Sequence, residues 1–308
     1  MNLAPGIHDA VPAETYHADA LCDQPTLSRS GIVTLLNGSP AEFAALNPRL
    51  SQWPVAERAG TDATELGEIV HGMVLGIGSQ FIASDPSEHG TVKSGDNKGQ
   101  PYTTWTGDAK TWKKAREAEG LIVIDYETNA LAVEISARLL DALRARFPDW
   151  DEGRSEVTAL WDRRLDDGSV IKCRARIDRL LPSAIVDVKT SALSLSDAEL
   201  GKTIGLKGLD IQAAWYVDGV HSVTERELPF VFAYVRTVPP YTIRFVDLAA
   251  KWPLGLTRQR IDKAAHIFGE CVRSGTWPDE PIECTPEPPE WLSSRWMMSA
   301  LMDDGADE

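Results

Sequence analysis

The stretch from Glu156 to Thr190 constrains this chain most, because it reads as a meander of three β-strands. Glu156 to Arg163 predicts one strand, and Asp166-Asp167-Gly168 turns the chain. Val170 to Leu180 predicts a second strand, Leu181-Pro182-Ser183 turns again, and Ala184 to Lys189 predicts a third. Helical signals precede the meander. Ser28 or Ser30 can cap an apolar run at Ile32, Val33, Leu35 and Leu36, which Gly38-Ser39-Pro40 ends, and a second short helix follows Pro40. Leu66, Ile69, Val70, Met73 and Val74 carry helical spacing over 62–77. Further helices are predicted near 108–119 and 127–147, with 84–108 as one long mobile loop. After the meander come a helix at 208–218, strands at 229–237 and 241–247, and a helix at 254–273. The order predicts an α/β or α+β core, a central mixed sheet with an antiparallel hairpin flanked by helices.

The chain's 308 residues can bury a large core. The 43% hydrophobic and 25% charged content excludes general disorder. No apolar run reaches about 18 residues, and Met1 to Gly6 lacks a signal-peptide pattern, so a soluble cytoplasmic protein with no membrane partner is expected. Cys22, Cys173, Cys271 and Cys284 are scattered without ligand spacing, which argues against disulfides, zinc and iron–sulfur clusters. The net charge of −15 argues against non-specific coating of nucleic acid. It leaves room for one local basic channel.

Asp187 and Lys189 are two apart on a strand and share a face, while Val186 and Val188 point into a core. A turn centred between Pro182 and Ser183 sets Asp178 opposite Asp187, with Cβ atoms about 4.5–5.5 Å apart. Two such carboxylates repel unless a divalent cation reverses the sign. Read in isolation, the same residues also fit a structural acid pair with Lys189 as salt-bridge partner.

Asp178 followed by Asp187-Val188-Lys189 resembles the PD-(D/E)xK nuclease signature, with Ile177 where the motif has proline. Gly67-Glu68-Ile69-Val70-His71 resembles the helix that carries a metal-site histidine in RecB-like and exodeoxyribonuclease VIII-like nucleases. Gln212-Ala213-Ala214-Trp215-Tyr216 resembles the QxxxY helix of that branch. Tyr16-His17, Leu27-Ser28-Arg29-Ser30 and Ser39 to Phe43 resemble the N-terminal part of phage-type exodeoxyribonuclease VIII domains. The resemblance implies a restriction-endonuclease-like core holding Mg²⁺, with Mn²⁺ as a substitute. It implies Asp178, Asp187, the Val188 carbonyl and His71 as metal ligands, Glu156 reaching the metal from the side, and Lys189 as catalytic lysine. Gln212 and Tyr216 would contact phosphate or steady the site, and Ser28, Arg29 and Ser30 would lie near the phosphate at a DNA end.

Basic residues gather at Lys110, Lys113, Lys114 and Arg116, and at Arg163, Arg164, Lys172, Arg174 and Arg176. Lys172, Arg174 and Arg176 are expected to track phosphates, and Tyr102 and Trp105 either stack on a base or simply pack. A single exonuclease domain is expected over 1–280, with a helical part at 1–150 and a catalytic core at 151–280. The tail at 281–308 is expected to carry a short amphipathic helix and an acidic end. The resemblance further implies a ring-shaped homo-oligomer that digests linear duplex from its ends 5′ to 3′, leaving 3′ strands for a single-strand annealing protein. A RecB/Cas4-like nuclease acting on single strands or endonucleolytically, and a catalytically silent DNA-end-binding subunit, remain alternatives.

Overall fold

The computed structural model describes residues 1–54, 62–77 and 80–303. Along the N-terminal part run β1 (Gly6–His8), α1 (Ala13–His17), β2 (Thr26–Leu27), α2 (Arg29–Asn37), α3 (Pro40–Leu46) and α4 (Asp62–Leu75). There follow β3 (Phe81–Ala83), α5 (Gly107–Ala118), β4 (Ile122–Ile124) and α6 (Tyr126–Arg146). The meander is β5 (Arg154–Arg164), β6 (Val170–Leu180) and β7 (Ile185–Ser191). After it come α7 (Asp197–Leu206), α8 (Leu209–Thr224), β8 (Phe230–Arg236), β9 (Ile243–Asp247), α9 (Leu254–Ser274) and α10 (Glu290–Asp303).

The seven-stranded mixed sheet has the order β1-β5-β6-β7-β8-β9, with β2 added parallel to β6. β7 and β8 are parallel, and the other pairs along that order are antiparallel. The parallel pair is possible because α7 and α8 form the crossover between its strands. At the β5–β6 turn Gly168 takes a φ of +82°, and the Asp167 carboxylate accepts the Ser169 N–H at 2.9 Å.

One face of the sheet packs Trp161, Cys173, Ile177 and Phe232 against Ile32 of α2, Trp215 of α8 and Phe268 of α9. The other packs Val186, Val188 and Val231 against Ile69 of α4 and Leu139 of α6. Caps fix the helices locally. Ser28 accepts the Gly31 N–H, Ser39 that of Glu42 ahead of Pro40, and Asp125 that of Thr128. Among the described residues no helix is long and apolar enough to cross a membrane.

Three expectations are corrected. The 84–108 stretch is ordered: it holds a 3₁₀ turn at Pro86–His89 and a β-bridge between Thr91 and Pro101. Its stabilising contacts are the stacked rings of His89, Trp105 and Trp112 and the buried Tyr102, which leaves Tyr102 no face for a base. Two short strands, β1 and β2, join the sheet where only turns and helices were expected. α7 was not expected. The tail helix is present as α10, whereas the acidic end at 304–308 lies outside the described residues.

Candidate active site

The site forms where β5, β6 and β7 stop pairing regularly. β6 and β7 pair only at Arg179–Val186 and Leu180–Ile185, in the register expected from the turn. The ladder ends one step short of Asp178 and Asp187, so the two carboxylates are not held face to face. Between β5 and β6 the register likewise passes over Glu156 and Asp178, which would be partners. Glu156 takes a left-handed φ of +52°, a strained conformation for a non-glycine residue. Side-chain alternation also breaks there: Ile177 and Leu180, three apart on β6, face the same core. Asp178 therefore sits where the strand changes faces, with its carboxylate free of the regular ladder.

α4 brings His71 to this gap. Gly67, one turn earlier, lies so close to β7 that an added Cβ would sit 2.6 Å from the Thr190 hydroxyl. His71 Nε2 lies 3.0 Å from Asp178 Oδ2, and Nδ1 lies 3.9 Å from Glu156 Oε1. Asp178 Oδ2 also accepts the Val188 N–H at 2.9 Å, so it is the amide of Val188 that meets Asp178. Across the same gap Lys189 is ion-paired with Asp187 Oδ1, and the Gln212 amide donates to Asp187 Oδ2.

Burial opposes ionisation of Asp178, but the His71 hydrogen bond and the Lys189 charge hold its carboxyl below the usual range. Burial, and then the Asp178 charge, push Asp187 up to about 6 against the pull of Lys189. Burial would lower His71 and Lys189, yet their carboxylate neighbours raise both.

The donor set suits a divalent cation. His71, Glu156 and Asp178 each offer a ligand atom, all within 4.8 Å of one another. Asp187 Oδ1 is buried and, despite the nearby ammonium, receives no well-directed hydrogen bond. Hard oxygens with one imidazole nitrogen fit Mg²⁺ or Mn²⁺, with the imidazole favouring the latter. Asp187 stands with Lys189 and Gln212 rather than in the three-residue cluster.

The remaining expected residues divide. Arg29 donates to the Lys207 and Gly208 carbonyls where α7 meets α8, close enough to feel the charge of Asp187. Ser28 is buried as the α2 cap and bonds Ser30 at 3.0 Å. Tyr216 packs edge-on against Phe230, and burial raises its hydroxyl. Arg176 bonds Glu156 at 2.5 Å, and Lys172 pairs with Asp162 at 2.7 Å. Arg174, expected at a DNA face, is buried and bonded to Asp19 and Thr26. A cleft of about 450 Å³ opens beside the cluster, lined in part by Val11, Glu68, His71, Glu156 and Arg176. Tyr234, which sequence reasoning missed, lies across the ladder from Lys189. Its only signal was its place on the β8 run.

A family model described as a PDDEXK-like domain of unknown function (DUF3799) matches residues 28–286, and the chain belongs to that family. A crystal structure of a candidate exonuclease from Eubacterium rectale is similar over 93% of this chain and 98% of its own, with 18% identity and a TM-score of 0.53. That likeness is one of fold. A further structure, SSO0001, is similar over 51% of this chain and 67% of its own, with 16% identity and a TM-score of 0.28, too low to bear on the argument. No curated protein matches the chain.

Proposed function

We propose that this chain is a divalent-metal-dependent DNA exonuclease that works from the ends of linear duplex. The observation that carries the reading is the meeting of two sets of groups at one strand gap. His71, Glu156 and Asp178 form a cation-ready cluster, and Asp187 and Lys189 face it from β7. His71, Glu156 and Asp178 would hold the ion, with Asp187 within reach of its charge. When bound, Mg²⁺ or Mn²⁺ supplies Lewis acidity to the scissile phosphodiester. Lys189, kept protonated by Asp187 and Asp178, orients the attacking water and balances charge on the phosphate in the transition state. Gln212 steadies Asp187. Arg29, which feels the charge of Asp187, would meet the phosphate of a DNA end.

The polarity is 5′ to 3′, the product a 3′ single strand for annealing, and the assembly a ring of identical chains partnered by an annealing protein. These finer points rest on the resemblance of the N-terminal and QxxxY segments to exodeoxyribonuclease VIII.

The test uses linear duplex labelled at either end, with Mg²⁺, Mn²⁺ or EDTA. Digestion is expected with either metal, better with Mn²⁺, and none with EDTA. Lys189→Ala is expected to lower the rate by about 10²–10³-fold. Digestion that survives EDTA or Lys189→Ala refutes the mechanism. Cleavage of circular single strands moves the assignment to a RecB/Cas4-like endonuclease, and attack from 3′ ends reverses the polarity.

A further inference from the structure

Tyr234, beside Lys189, has a buried hydroxyl without a hydrogen-bond partner among the described residues. It pairs with Lys189 across the parallel β7–β8 ladder. Phe230, Phe232 and Tyr234 share a face of β8, packed into the core that α8 covers. On β7, Val186 and Val188 take the opposite face, so Asp187 and Lys189 project to the side of Tyr234. The rings connect the groups: Lys189 Nζ lies 5.9 Å from the Phe232 centroid, and the Phe232 and Tyr234 centroids are 6.0 Å apart. The Tyr234 side chain is 3% exposed, and its hydroxyl has no hydrogen-bond partner among the described residues. Asp187 Oδ1, on the same face, is the second buried oxygen there without a directed hydrogen bond. An unpartnered hydroxyl and a carboxylate oxygen held only by its ion pair therefore share the face of one ammonium.

Leaving a buried hydroxyl unsatisfied is costly, and the usual remedy is an ordered water with two to four polar partners.

We propose that Tyr234, Asp187 Oδ1 and Lys189 share one buried water, which makes Tyr234 a positioning residue for the Asp187–Lys189 pair. The water donates to Asp187 Oδ1 and accepts from Lys189, and the tyrosine hydroxyl completes its shell. Tyr234 thereby fixes the angle at which the lysine meets the reacting phosphate without touching it. This rests on the nuclease reading above.

Tyr234→Phe removes the hydroxyl and keeps the ring. The variant is expected to lose about tenfold in kcat on linear duplex, as groups one shell out from a reactive centre commonly do. KM is expected to stay within twofold, and the urea midpoint not to fall. A high-resolution crystal structure of the wild-type protein is expected to show the water, and the same crystal of Tyr234→Phe to lack it. An unchanged kcat, or a dry hydroxyl in the wild-type crystal, overturns the assignment and leaves the nuclease reading intact. A joint loss of stability, kcat and KM marks simple packing damage and also overturns it. Failure of the wild-type protein to cut any DNA with Mg²⁺ or Mn²⁺ removes the nuclease reading itself, and this inference with it.

Discussion

Replacing Asp19 with alanine removes the centre of a buried ion-pair network that ties the N-terminal segment to the sheet. Its carboxylate is fully buried and accepts the Thr26 N–H at 3.0 Å, the Thr26 hydroxyl at 2.6 Å and the Asn47 amide at 2.9 Å. The Arg174 guanidinium completes the set and lies 5.0 Å from the centroid of the Tyr16 ring. A surface pair is worth at most about 1 kcal/mol. Here the alanine leaves a guanidinium, 8% exposed, without its counter-charge, and strands three further donors. The expected loss is about 3–5 kcal/mol, dominated by the uncompensated charge. That is a large part of the ~5–15 kcal/mol that holds a typical domain together. Urea unfolding followed by tryptophan fluorescence measures it for Asp19→Ala, Arg174→Met and the double variant. The double variant is expected to lose less than the two single losses combined, because no lone charge remains. A loss below about 1 kcal/mol for Asp19→Ala refutes the buried network. It would also return Arg174 to the surface as a phosphate contact.

Gly219→Ala places a Cβ 2.7 Å from the Trp161 ring, which is 2% exposed and cannot swing away. Overpacking of about 1–3 kcal/mol outweighs the ~1 kcal/mol gain in helix propensity, so the urea midpoint is expected to fall. Gln212→Leu strips Asp187 Oδ2 of its donor and is expected to lower kcat with little change in DNA affinity, read from initial rates and from binding in Ca²⁺. In metal-free protein the Asp187 carboxyl, raised to about 6, contributes stability that is full below pH ~4 and is lost as pH rises through 6. A bound cation opposes that proton and the raised His71 proton, so the rise in Tm produced by Mn²⁺ is expected to grow from about pH 5 to pH 7. A rise that stays constant over that range contradicts the coupling.

Much of the architecture was legible because the controlling signals are local. Asp166-Asp167-Gly168 and the Leu181–Ser183 turn bracket β6, and its observed span, Val170–Leu180, is the expected one. Gly67 of the histidine-bearing segment lets β7 approach at Thr190. The QxxxY helix delivers Gln212 to Asp187. What sequence could not show is set by long-range pairing. β1 and β2 are too short to carry a periodic signal, and they exist because β5 and β6 offer them partners. An arginine on a hairpin reads as a surface cation until Asp19, far away in sequence, is seen to bury it. The alternation break at Asp178 depends on the left-handed Glu156 opposite it, and nothing in the residue types announces that turn. Tyr234 carries no signal of its own in the sequence, since only the β7–β8 pairing sets it beside Lys189.

Trp161 of β5 and Trp215 of α8 lie 4.8 Å apart with their rings tilted by 53°. Two indoles this close and this inclined couple as chromophores. Their paired transitions should give a split far-ultraviolet circular dichroism band that neither ring produces alone. The interface they span also seats Gln212 against Asp187, since Trp215 and Gln212 share α8. The band is thus a built-in optical gauge of whether the helix is docked, readable without label, substrate or metal.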